Sequence, residues 1–266
     1  MSGEAAPLRD VAVIGGGCYG TFYARQLETA HQRGKLALRR VLVVDRDPGC
    51  RAAIELGPAE HRRLVTASWD EFLLDFLEAP PPSDGGPDDA IVPSPLMPHL
   101  MAHWLVAVAG RLWPDRERSL EVPAEPLGTP YDAIGPDGTR YVSFADWICP
   151  THCVEPLTCP MIRAPRTWEM GDALGEYVAR LGRLRPTAGP ALFTTRHHTF
   201  GVGMFGASEI RASRRLVEEA GNRDVPIDVV IATVSACHGA VSVLRLGPRG
   251  GGRKRVSAVS GYISGP

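Results

Sequence analysis

The chain has 266 residues, with 29 Lys and Arg against 30 Asp and Glu and a formal net charge of −1. That length can bury a substantial core, and the near-neutral balance gives no field that would recruit nucleic acid or an anionic membrane. No apolar run approaches the ~20 residues of a membrane span, and the first seven residues lack the basic-then-apolar order of a secretory leader. The expected setting is therefore the cytoplasm, where the six cysteines would be reduced thiols or metal ligands rather than disulfides.

Val11-Ala12-Val13-Ile14 reads as an apolar strand. It runs straight into Gly15-Gly16-Gly17-Cys18-Tyr19-Gly20 and then into an amphipathic helix over Thr21–Gln32. Gly15, Gly17 and Gly20 fall on G-x-G-x-x-G spacing. The first permits a tight turn, the second lets a pyrophosphate approach the backbone, and the third lets helix and strand pack closely. The free N–H groups at the helix N-terminus join the positive end of the helix dipole in favouring phosphates. Arg40–Asp45 then reads as a buried strand ending in an acid, the position at which a ribose hydroxyl pair is held.

Through Val11–Gly20 and Val41–Asp45 the chain resembles the NAD(P)- or FAD-binding Rossmann superfamily, over about the first third of its length. The resemblance implies a bound dinucleotide contacted by Gly15, Gly17, Cys18, Tyr19, Gly20, Asp45 and Arg46. Asp45 would repel a 2′-phosphate and so favour NAD over NADP, while Arg46 could pair with such a phosphate and offset that preference. NAD is the expected cofactor, ahead of NADP or FAD.

The chain continues with a short helix around Cys50–Leu56, a strand at Arg63–Thr66, a helix over Trp69–Leu77, a strand at Asp89–Pro93 and a helix over Pro98–Leu112. Strand alternating with helix predicts an α/β fold with a Rossmann-like, doubly wound, mostly parallel sheet and right-handed crossovers. Ligands of such sheets bind beyond the carboxyl ends of the strands, so the loop Ser94–Pro98 is expected to face the glycine turn. His99 and His103, at i, i+4 on a predicted helix, could chelate a metal or simply lie on a partly exposed face. From Pro114 to Pro165 periodicity gives way to Pro, Gly and Cys. Tyr141–Phe144 reads there as one arm of a small hairpin behind the turn Gly135–Thr139. Regular structure resumes with a helix over Asp172–Leu184, a strand at Ala191–Arg196, a helix over Ser208–Ala220 and a strand at Ile227–Val234. Val241–Leu244 reads as a last strand or the start of a helix. The organisation expected is an N-terminal dinucleotide-binding half over 1–113, a Cys- and Pro-rich insertion over 114–170, and an α/β part over 171–266 that completes the sheet. Arg249, Arg253, Lys254 and Arg255 form a basic tail without aromatic residues to stack bases, so nucleic acid is not an expected partner.

The segment Cys149-Pro150-Thr151-His152-Cys153-Val154-Glu155-Pro156-Leu157-Thr158-Cys159-Pro160 places three cysteines within eleven residues of an irregular loop. Thiolates are soft ligands suited to zinc or an iron–sulfur cluster. The first gap fits a zinc pair and the second does not, whereas proline directly after a ligating cysteine is a feature of cluster motifs. Cys149, Cys153 and Cys159 are thus candidate ligands, with His152 or Cys237 as the fourth. Three inert buried thiols are the alternative. His198, at the end of one strand, and His238, at the end of another, are candidate proton-transfer groups. Glu155 could act as an acid or base, or be a solvated carboxylate. Together these features point to an NAD(P)-binding oxidoreductase with a Cys-ligated metal or cluster near the cofactor, acting on a small molecule or with a redox partner protein. A non-enzymatic nucleotide or redox sensor and an electron-transfer accessory protein are the alternatives.

Overall fold

Residues 7–80, 86–146, 153 and 155–249 are described by the computed structural model. The first part builds strand β1 (Leu8–Ile14), helix α1 (Cys18–Gln32), β2 (Leu38–Asp45), α2 (Arg51–Glu55), β3 (Arg62–Thr66), α3 (Trp69–Phe76), β4 (Asp88–Val92) and α4 (Leu100–Leu112). These four strands pair in parallel in the order β3-β2-β1-β4, with Ile14 beside Val44 and Val13 beside Val92. Their β-branched runs suit strands covered on both faces.

After α4 the chain changes character. Strands β5 (Arg118–Glu121), β6 (Tyr131–Ile134) and β7 (Arg140–Ser143) precede a two-residue ladder, β8 (Thr158–Cys159) and β9 (Ala164–Pro165). Then come α5 (Met170–Gly182), β10 (Thr187–Thr194), β11 (Arg196–Thr199), β12 (Val202–Gly206), α6 (Ala207–Gly221), β13 (Ile227–Val234) and β14 (His238–Leu246). Val241–Leu244 is therefore strand, inside β14.

The expectation of one doubly wound, mostly parallel sheet is overturned. There are two six-stranded sheets, and each mixes parallel with antiparallel pairs. In the first, β12 pairs antiparallel with β4 and β11 antiparallel with β12. In the second, β10 and β13 are parallel, but β14 runs antiparallel to β13, β7 and β5, and β6 runs antiparallel to β7. The physical reason is connection length. A parallel crossover needs a dozen or so residues, whereas the chain turns back within Gly135–Thr139, at Phe200-Gly201 and at Ala236-Cys237.

Alternation along the strands sorts the core into three clusters and the molecule into five layers. Val11, Val13, Val41 and Val43 face Ala24, Leu27 and Ala30 of α1. Ala12, Ile14 and Ile91 face the other way, into a layer made by α3, α4 and α6. The second sheet closes that layer from beyond with Ile227, Val229, Ile231, Leu244 and Leu246. Its outer face, through Val230, Ala232, Val241 and Val243, buries Met170, Leu174, Tyr177 and Leu181 of α5. Each such fully buried large side chain contributes about 1.5–3 kcal/mol by leaving water. Among the described residues no helix is long and apolar enough to cross a membrane.

Candidate functional site

Ile14, Asp45, Thr66 and Val92 end β1 to β4 along one edge of the first sheet, and the glycine turn leaves that edge from Ile14. Gly15 has a φ of +92°, a conformation open to glycine without strain, and its N–H donates to the Val44 carbonyl at 2.8 Å. A Cβ on Gly20 would stand 1.7 Å from the Gly15 carbonyl oxygen, so α1 can begin this close to the strand only with glycine there. A Cβ on Gly17 would meet nothing within 4 Å. The N–H groups of Gly17, Cys18 and Tyr19 donate to no described residue. The first turn of α1 also lacks an acidic residue and a side-chain cap. Free donors beside open space at a helix start are suited to an anion.

The opposite flank of the turn is closed. The Asp45 carboxylate accepts from the Gly16 N–H at 2.6 Å and the Asp47 N–H at 2.9 Å, and the Ala52 N–H donates to the Gly16 carbonyl at 2.8 Å. Cys50 packs so close that a Cβ on Gly16 would lie 2.3 Å from its Sγ. Asp45 thus braces the turn, a task its sequence position does not announce. Two donors leave part of a carboxylate's acceptor capacity free for hydroxyl groups. Arg46 beside it is exposed.

A second cluster forms where β13 turns into β14. Ala236 and Cys237 are the turn residues, closed by the Ser235 N–H donating to the His238 carbonyl at 2.9 Å. The Ala236 and Cys237 N–H groups both donate to the Glu155 carboxylate, at 3.0 and 3.3 Å. The Ala236 carbonyl accepts from the Met170 N–H at 2.9 Å and the Cys237 carbonyl from the Phe144 N–H at 3.0 Å. Every backbone polar group of the two turn residues is therefore held. Glu155 is not a solvated carboxylate but a clamp on this turn.

The Cys237 Sγ accepts a hydrogen bond from Trp168 Nε1 at 3.3 Å. Burial pushes the Cys237 thiol's pKa up, with the Trp168 N–H working against it. His238 points elsewhere. Its Nδ1 lies 3.1 Å from Ser235 Oγ and 4.0 Å from Glu155 Oε1. Burial lowers the His238 pKa, opposed by the Glu155 charge and reinforced by His197. Cys153, Cys159 and Cys237 line one small pocket together with Glu155, Trp168 and apolar groups such as Ala145, Pro156 and Ile162. Cys149 and His152 lie outside the described residues, as does the side chain of His198, which sits in β11. Among the described residues no three His, Cys, Asp or Glu side chains stand close enough together to hold a metal ion as they are placed. His99 is the N-cap of α4 and is buried with neither ring nitrogen partnered, whereas His103, one turn on, is exposed.

Both clusters stand at the carboxyl ends of parallel strands, and the β11–β12 hairpin runs from the neighbourhood of His238 to the side of α1. His197 on the hairpin acts on His238, while its tip rests on α1, where Gln26 Nε2 donates to the Phe200 carbonyl at 3.4 Å and Arg33 lies 5.7 Å from the Phe200 ring centre. Sequence reasoning missed Trp168, Ser235 and His197 at the second cluster. Each reaches it through pairing or a turn that no local motif marks.

Residues 101–247, more than half of the chain, match the family described as AF_1314_C, "Uncharacterized protein, C-terminal domain", and the chain belongs to that family. The matched stretch holds the entire cysteine and histidine cluster, whereas the glycine turn precedes it. No curated protein and no solved structure matches the chain.

Proposed function

We propose that this family member binds a dinucleotide of the NAD type at the glycine turn and works as an oxidoreductase on a small molecule or with a redox partner protein. The observation that carries the reading is the set of unpartnered N–H groups at Gly17, Cys18 and Tyr19, beside the open space at Gly17 and at the carboxyl ends of parallel strands. Phosphate oxygens would accept from those groups, and Asp45 keeps acceptor positions for ribose hydroxyls. Arg46, exposed beside it, would pair with a 2′-phosphate and so set how strongly NADP is disfavoured. When bound, the nicotinamide would supply or take up hydride; the chain's part is to hold phosphates and ribose. This requires only β1, the turn and α1, and so does not depend on a doubly wound sheet. A cytoplasmic setting belongs to the same reading.

Titration calorimetry with NADH, NADPH and FAD tests it. NADH should bind most tightly, and Gly17→Val should abolish binding while leaving the circular dichroism spectrum and melting temperature unchanged, since its side chain enters open space. A wild-type chain that binds none of the three cofactors would remove the reading.

A further inference from the structure

We infer that Cys153, Cys159 and Cys237 are ligands of a thiophilic metal centre, zinc or sulfur-ligated iron, that fastens the segment over residues 153–165 to the β13–β14 turn. Three cysteines from chain positions as distant as Cys153 and Cys237 line one small pocket whose other walls are largely apolar. Cys159 and Cys237 are only 9% and 7% exposed, so the thiols have been withdrawn from water together. Thiolates in such surroundings favour soft metals over hard ones.

An independent observation concerns what holds the segment in place. None of its side chains joins any of the three core clusters. Two of its large apolar residues are exposed instead, Leu157 at 81% and Met161 at 58%. Its regular structure is a single two-residue ladder, Thr158 to Pro165 and Cys159 to Ala164. A chain segment without a core of its own is commonly folded by a metal, whose binding free energy then becomes folding free energy. The cysteines are the side chains through which that could act here.

The sulfur sites are prepared to different degrees. Cys237 sits in a turn fixed at all its backbone groups, and Trp168 supplies an N–H to its sulfur, as outer-shell donors do for metal thiolates. Cys159 is followed by a tight loop in which the Arg163 N–H donates back to its carbonyl at 2.8 Å. Cys153 completes the three, and binding would release the thiol protons to solvent.

The test is metal analysis and absorption spectroscopy of the full chain, purified anaerobically from cells supplied with iron and zinc, followed by Co²⁺ titration of the reduced protein. The expected result is stoichiometric zinc without colour, or iron with the brown absorbance of a cluster, and thiolate-to-Co²⁺ charge-transfer bands on titration. Cys153→Ser, Cys159→Ser and Cys237→Ser should each lose the metal, while Cys18→Ser should keep it. Trp168→Phe, which keeps the ring and removes the N–H, should weaken Co²⁺ binding about tenfold, and serves where a cysteine variant does not fold. Absence of both metals together with no thiolate bands, or full metal in the three cysteine variants, would overturn the inference. No nucleotide enters these readouts, so they can fail while the dinucleotide reading stands, and the reverse.

Discussion

Gly17 and Gly20 lie three residues apart in one turn and answer to different constraints. At Gly20 the constraint is internal, because any Cβ would fall 1.7 Å from a backbone oxygen that cannot rotate away. Gly20→Ala should therefore push α1 off β1 and cost at least about 3 kcal/mol, the upper part of the overpacking range. At Gly17 nothing lies within 4 Å, so Gly17→Ala should leave stability unchanged. Urea unfolding of the two variants checks the contrast, and equal losses would mean that the turn is a packing device at both positions. This much was legible in the sequence, since the spacing of the three glycines states which must be small. The tasks of Asp45 and Glu155 were not. Both carboxylates accept backbone N–H groups of turns distant in sequence, Gly16 for one and Ala236 with Cys237 for the other, and no local pattern encodes such a partner.

At the scale of elements, legibility followed the kind of signal. Strands β1 to β4 and the helices between them could be read because apolar runs and helical periodicity alternate there, and their bounds shift by only a few residues. In the antiparallel half only the β6–β7 hairpin announces itself, through Asp137-Gly138 in its turn; the turns at Phe200-Gly201 and Ala236-Cys237 lack the Asn-Gly or Asp-Gly pairs that mark hairpins. Without such a sign at Ala236-Cys237, the apolar run Val241–Leu244 fits a strand or a helix start equally, and only pairing with β13 makes it strand. In the β6–β7 hairpin a buried ion pair is added to the local turn chemistry, in which Asp137 accepts from the Thr139 N–H at 3.2 Å. Arg140, 7% exposed, is ion-paired to Asp132 and donates to the Pro123 carbonyl at 3.0 Å, while Asp132 also accepts from the Leu127 N–H at 2.7 Å. Asp132→Ala would leave a buried guanidinium without its carboxylate and a loop without its acceptor. The expected loss is about 3–5 kcal/mol, read as a shift in urea midpoint. A loss below 1 kcal/mol, the range of an exposed pair, would show the pair to be solvated in solution.

For the whole molecule the decisive fact is that two sheets share one layer of helices, so the middle of the protein is dry on both sides. His99 stands at the start of α4 in that layer, 4% exposed, with no hydrogen-bond partner on either ring nitrogen. Burial, helped by the charge of His103 and opposed by Asp137 and by the nearby Val241 backbone, which falls short of hydrogen-bond geometry, takes its pKa from 6.5 down to about 4. Between those values the unfolded chain binds a proton that the folded chain refuses, so stability rises with pH across the window. The contribution is complete above pH 6.5 and drains away as pH falls toward 4. Lowering the pH from 7.5 to 5 should cost about 2 kcal/mol through this residue alone. His103 and His238, whose pKa values are also lowered by burial, act in the same direction. The variant His99→Leu isolates the effect, since it fills the site with a side chain that has nothing to protonate or desolvate. Its urea midpoint should exceed wild type at pH 5 by more than at pH 7.5, with the gap widening by that amount. Parallel pH profiles for the two proteins would mean that water or a charged partner reaches His99, and that the layer between the sheets is not closed.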